Sequence, residues 1–161
     1  MCLILMAFHV NARYPLVVAA NRDEFYDRPS LPAGYWPENP SILAGKDLRG
    51  GGAWFGVTKE GRFAAITNFR DPLTKREGQR SRGLIVADYL TGSRAPDAFV
   101  KDLRRRLNQY NDFTVILGSA ESLFSYSNRD DVLKEVTRGF HGLSNHFIDT
   151  PWPKVTKGLA K

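Results

Sequence analysis

Residues 2–10 form a largely apolar run rich in strand formers, and a second short run follows at 16–20. Between them Asn11-Ala12-Arg13-Tyr14-Pro15 carries turn residues, so the pair is predicted as a β-hairpin. Continuous apolar character, in place of alternation, predicts strands covered on both faces. The hairpin returns Asn21-Arg22-Asp23 towards the start of the first strand, where Cys2 lies. Residues 28–40 hold Pro29, Pro32, Pro37 and Pro40 and read as a loop, with Tyr35-Trp36 either lining a substrate mouth or, the favoured reading, packing the loop down. Gly50-Gly51-Gly52 then precedes an apolar stretch at 53–58, a Lys59-Glu60-Gly61 turn and a return strand at 62–68, the best hairpin signal in the chain. No Gly-Lys-Ser/Thr follows the glycine triplet, so it does not read as a phosphate loop. Its expected use is close backbone approach at the strand entry.

Two helices are predicted next. Ser81 caps the first, with Leu84, Ala87 and Leu90 at helical spacing and Thr91-Gly92 ending it. Pro96 starts the second, where Phe99, Val100, Leu103 and Leu107 form an apolar stripe and Asp102 and Arg106 an i,i+4 pair. Strands resume at 113–117 and 123–127, and a last short strand leads to Gly142-Leu143-Ser144-Asn145. Thr150-Pro151-Trp152-Pro153 opens a final helix. Strands, helices, strands and a helix, joined by hairpins, predict an antiparallel α+β layered fold in a single domain, 1–161.

Composition narrows the function classes. The chain has 161 residues, 42% hydrophobic and 25% charged, which is ordinary for one globular domain. A single cysteine excludes an internal disulfide framework and fits a reducing compartment, so a cytoplasmic location is expected. The apolar start lacks a basic leader and is too short to span a bilayer. One cysteine and three scattered histidines give no metal-ligand spacing. The net charge of +6 gathers at Lys75-Arg76, Arg80, Arg82 and Arg104-Arg105-Arg106. No nucleic-acid-binding pattern accompanies it, so the expected reading is a solvated face or a site for a small anion. The sequence leaves homo-oligomerisation open.

The candidate chemistry sits at the start. If Met1 is removed, Cys2 carries a nucleophilic thiol and a free α-amine on one residue, a self-contained nucleophile and base. The competing reading is a small buried hydrophobe on an apolar strand. Arg22 and Asp23 are either the partners of that nucleophile or an ion pair pinning a strand end. Asn68 and Asn145 are either amide donors to an oxyanion or turn residues.

Several stretches carry a resemblance. Met1-Cys2-Leu3-Ile4, Ala19-Ala20-Asn21-Arg22-Asp23-Glu24-Phe25 with Arg28-Pro29, Gly51-Gly52-Ala53-Trp54-Phe55-Gly56, Ala65-Ile66-Thr67-Asn68, Ser81-Arg82-Gly83 and Gly142-Leu143-Ser144-Asn145 resemble, in order, the NRDE or transport-and-Golgi-organisation family. The resemblance covers the whole chain and implies a longer family domain, of which this sequence reads as the N-terminal and central part. That family is similar to N-terminal-nucleophile hydrolases, which implies an αββα sandwich of antiparallel sheets between helical layers. Likeness to the cysteine acylases of that class implies cleavage of a linear amide bond in a small acylated substrate. The catalytic residues so implied are Cys2, Arg22, Asp23, Asn68 and Asn145, with Asn21, Glu24 and Trp54 binding substrate and no cofactor. The acylases space their arginine and aspartate further apart than the adjacent Arg22-Asp23, and their late arginine would lie beyond Lys161. The resemblance also implies an alternative without catalysis, a haem or acyl-CoA/lipid carrier. Its axial haem ligands would come from Cys2, His9, His141 and His146, with Met6 weaker.

Overall fold

The computed structural model describes residues 2–71 and 79–160. The Lys75-Arg76 part of the basic cluster and the fate of Met1 lie outside them. The chain forms two antiparallel sheets and three helices. Strands β1 (Leu3–Phe8) and β2 (Leu16–Asn21) make the first hairpin, and β10 (Gly139–Leu143) joins the other side of β1, in the order β10-β1-β2. The second sheet is a seven-stranded meander of β3 (Ser30–Trp36), β4 (Asn39–Asp47), β5 (Phe55–Thr58), β6 (Phe63–Asn68), β7 (Phe113–Gly118), β8 (Leu123–Ser127) and β9 (Val132–Val136), neighbours in that order. Helices α1 (Gly83–Thr91) and α2 (Pro96–Arg104) are inserted between β6 and β7, which still pair directly.

Two apolar clusters hold the layers. Ile4, Met6, Phe8 and Leu143 of the small sheet meet Phe63, Ala65, Ile116 and Leu123 of the large one. On the other face of the large sheet, Ala64, Ile66, Val115 and Leu117 meet Ile85, Val86, Tyr89, Phe99 and Leu103 of α1 and α2. Helix α3 (Pro153–Leu159) packs on β1 and β10, where a Cβ on Gly142 would come within 2.6 Å of Val155. No helix among the described residues is long and apolar enough to cross a membrane.

Four expectations are corrected. The 28–40 stretch is not a loop but β3 and the start of β4. Pro29 and Pro37 lie outside the strands, and Pro32 is tolerated because β3 is the outermost strand and its pairing shifts between Leu31 and Gly34. The first hairpin is not covered on both faces throughout: β1 alternates between buried and half-buried, whereas β2 is an edge strand with Val17 and Ala19 exposed, because α3 packs mainly on β1 and β10. The buried stripe of α1 is Ile85, Val86, Tyr89 and Leu90; of the expected Leu84, Ala87 and Leu90, Leu90 is buried, while Ala87 is only partly buried and Leu84 is not part of the stripe. With Gly83 pressed on Gly52, positions 86 and 90, three and seven residues on, turn inward. Finally, Asp102 pairs with Arg94 and Arg105 and not with Arg106, since α2 ends at Arg104 and Arg106 instead reaches Asp88 at 2.8 Å. The strand at 132–136 is an addition; its Lys134-Glu135 break in the apolar pattern hid it.

The glycine triplet does serve close approach. A Cβ on Gly52 would lie 2.2 Å from the Gly83 carbonyl carbon, and the Ala53 N–H donates to the Gly83 carbonyl oxygen at 3.2 Å. Substituting Gly52 by alanine is expected to force backbone against backbone and to lower stability by about 1–3 kcal/mol or more. Chemical denaturation of the variant beside Gly61→Ala, where nothing lies within 4 Å of the new Cβ but φ is +84°, separates the clash from backbone strain.

Candidate functional site

The central strand of the small sheet sets the site. Leu3 pairs with Asn21 on one side, and Ile4 pairs with Leu143 on the other. Continued past these pairs, the two registers bring Cys2 opposite Arg22 and Asn145. Strand alternation puts the Cys2 side chain on the face of Ile4, Met6 and Phe8, which looks at the large sheet. Its thiol is free and half-buried.

Polar bonds tie the strand ends together. Ser144 Oγ donates to the Cys2 carbonyl at 2.8 Å, and Thr67 Oγ1 donates to the Ser144 carbonyl at 2.5 Å. Asn145 Nδ2 donates to the Asn68 carbonyl at 3.0 Å, and the Arg70 N–H returns to the Asn145 carbonyl at 2.9 Å. These bonds cross between the sheets where the apolar layer ends, and a cleft of about 1140 Å³ opens there. Cys2, Arg22, Asp23, Asn68 and Asn145 all line it, as do Glu24 and Trp54. Trp54 is partly buried and packs against both apolar clusters, so it forms part of the floor. Asn21 does not line the cleft; its Nδ2 donates to Asp23 Oδ1 at 2.7 Å.

Arg22 and Asp23 do not form the simple ion pair open to them in sequence. Arg22 Nη2 donates to Asp47 Oδ2 at 2.9 Å and to Glu24 at 3.1 Å. Asp23, the next residue beyond the end of β2, takes Lys154 Nζ of α3 at 2.8 Å. That ammonium, in first place, brings the Asp23 carboxyl down to about 2.

Asp47 is the residue that sequence reasoning passed over. Its Oδ2 also accepts Arg28 Nε at 2.7 Å, while its Oδ1 accepts the N–H groups of Arg49 and Gly50 at 3.1 and 2.8 Å. Burial pushes its carboxyl up, but the Arg28 bond, the Gly50 N–H and the positive charge of Arg28 and Arg22 outweigh that and hold it below the usual range. The available signal was an aspartate placed just before a glycine triplet, where its side chain can bond the following N–H groups of a turn.

The remaining candidates lie elsewhere. His9 is exposed, and Met6 is buried between the sheets. His141 is engaged by Asp149 and by the Thr137 carbonyl, both at 2.8 Å. His146 bonds Thr150 at 3.0 Å and packs against the rings of Phe69 and Phe147. None of the three histidines lines the cleft. Among the described residues no group of three or more His, Cys, Asp or Glu is placed to hold a metal ion.

Comparison with known proteins is consistent along the chain. The family model "Transport and Golgi organisation 2" matches residues 1–161. The Transport and Golgi organization 2 homolog of Mus musculus is 34% identical over 171 residues, covering 98% of this chain and 62% of the relative. The Homo sapiens homolog is 36% identical with the same coverage, and the Drosophila melanogaster Transport and Golgi organization protein 2 is 29% identical over 177 residues. The chain thus spans 62% of the length of these relatives. By the full-length family match and by these identities, the chain belongs to the Transport and Golgi organisation 2 family.

Proposed function

We propose that the chain carries the nucleophile site of an N-terminal-cysteine amidohydrolase, acting on the linear amide bond of a small acylated substrate. The observation that carries this reading is the convergence of Cys2, Arg22, Asp23, Asn68 and Asn145 on one cleft from four separate stretches of sequence. The succession of helix, small sheet, large sheet and helices is the layering that an N-terminal-nucleophile hydrolase requires.

The chemistry follows from the residues. Once Met1 is removed, the Cys2 α-amine accepts the thiol proton, and the thiolate sulfur attacks the amide carbonyl carbon. Charge collects on the former carbonyl oxygen, where the second N–H of Asn145 Nδ2 can donate; its first is used on Asn68. The C–N bond breaks, the leaving amine takes the proton from the α-ammonium, and a thioester remains on Cys2. Water, deprotonated by the same amine, then releases the carboxylic acid and restores the thiol. Asp23 stays ionised across the working pH range and is suited to hold the ammonium form. Arg22 shares its charge with Asp47 and Glu24, which reduces its pull on the thiolate; its role is to fix the strand end that faces Cys2. For the carrier alternative, the histidines it calls on are engaged in bonds and ring contacts away from the cleft, or exposed.

The reading is tested by intact mass. The purified protein is expected to lack Met1 and to gain an acyl adduct on residue 2 from an activated acyl probe, while Cys2→Ala gains none. Retention of Met1, or an adduct that persists in Cys2→Ala, would falsify it.

Asp47 acts through Arg22 and Arg28 as a positioning residue. Replacing it with asparagine leaves two guanidinium groups short of their anion and is expected to cost about 1–3 kcal/mol of stability. Because the folded carboxyl titrates below the unfolded one, its contribution is present above about pH 4 and fades as pH falls further. The acid limb of thermal stability should therefore be shallower in Asp47→Asn than in the wild type, and equal slopes would remove Asp47 from this role.

A further inference from the structure

The segment that leads into α1 lines the same cleft through Gln79, Arg80, Ser81 and Arg82. Its charges are unbalanced in a specific way. Each carboxylate lining the cleft already has a cation: Asp23 has Lys154, Asp47 and Glu24 share Arg22 and Arg28, and Asp71 and Asp112 are bridged by Arg129 at 2.6 and 3.1 Å. Arg80 and Arg82 instead meet neutral acceptors. Arg82 Nη1 donates to the Asp112 carbonyl oxygen at 2.8 Å, and Arg80 Nη1 to Gln109 Oε1 at 3.0 Å. Among the described residues neither guanidinium has a carboxylate within ion-pair distance. A guanidinium presents five N–H donors, so most of theirs remain unused.

Arg82 makes this imbalance costly. It is partly buried, and loss of solvent is the main cause that lowers its pKa; the charge of Asp112, and less that of Glu24, offsets this only in part, while the like charge of Arg28 adds to it. A desolvated cation without an anion in contact is an unfavourable arrangement that a bound anion would relieve. The same corner holds buried polar atoms without a hydrogen-bond partner, Gln79 Oε1 and the Tyr110 hydroxyl, and Arg80 lies 5.7 Å from the Tyr110 ring centre.

We propose that Arg80 and Arg82 form an oxyanion-binding arm of the cleft, which takes a carboxylate or phosphate group carried by the ligand. Two planar guanidinium groups on alternate residues suit the forked oxygens of either group better than lysines would. Combined with the amide reading, on which this extension rests, the arm defines the substrate class as N-acyl compounds bearing an anionic terminus. The binding site itself does not need Cys2 chemistry.

The test is a titration of the full chain with inorganic phosphate and, separately, glutarate, read from the arginine Nε–H resonances. Saturable shifts are expected at Arg80 and Arg82, with Arg105 on the outer surface unmoved. Arg80→Gln and Arg82→Gln should each weaken binding about tenfold or more, and Arg82→Lys should retain part of it. Circular dichroism identifies any variant that has failed to fold, and the exposed Arg80→Gln then carries the comparison. Absence of saturation with both anions, equal shifts at Arg105, or unchanged affinity in folded Arg80→Gln overturns the proposal. Cys2→Ala should bind both anions as the wild type does. A wild-type chain that binds the anions but gains no acyl adduct therefore defeats the hydrolase reading alone, and one that gains the adduct but binds neither anion defeats this one.

Discussion

The hydrogen-bond register of β1 governs the site. This strand is bonded on both sides, so Cys2 cannot shift by one position without breaking two ladders and turning Ile4, Met6 and Phe8 out of the layer between the sheets. The apolar layer thereby fixes where the sulfur sits, and the residues that meet it come from the ends of the neighbouring strands. The burial of three hydrophobic side chains and the placement of one reactive atom are the same constraint.

Charge is organised around that point by separation. Arg22 and Asp23 are adjacent in sequence, yet they take different partners just past the end of β2, Asp47 for one and Lys154 of α3 for the other. Each carboxylate is thereby kept ionised by a cation from a distant part of the chain. Arg28 strengthens the first of these pairings, and the turn after β4 completes it with two N–H groups. The strand end opposite Cys2 is thus held by two separate ion pairs, one to the turn after β4 and one to α3.

Much of this arrangement was legible in the sequence. The apolar runs at 2–10, 53–58 and 113–117 are strands because their side chains fill two packed layers, and the period of 96–104 gave the buried face of α2 directly. The grouping of Cys2 with Arg22 followed from one hairpin, a local inference. Asp47 was not legible, because its partners lie 19 and 25 residues away and nothing local marks their meeting. The strands at 30–36 and 132–136 were missed for a related reason. Both are outermost in the large sheet, where one unpaired edge tolerates proline and charge and blurs the usual pattern.

The contact of Gly52 with Gly83 has a wider meaning for how this protein can vary. It welds the turn that presents Asp47 to the segment that presents Arg82, although the two lie some thirty residues apart in the chain. Neither loop can lengthen, shorten or gain a side chain at that seam without displacing the other. Variation in ligand preference should therefore arise by exchanging side chains on a shared rigid frame, not by remodelling either loop alone.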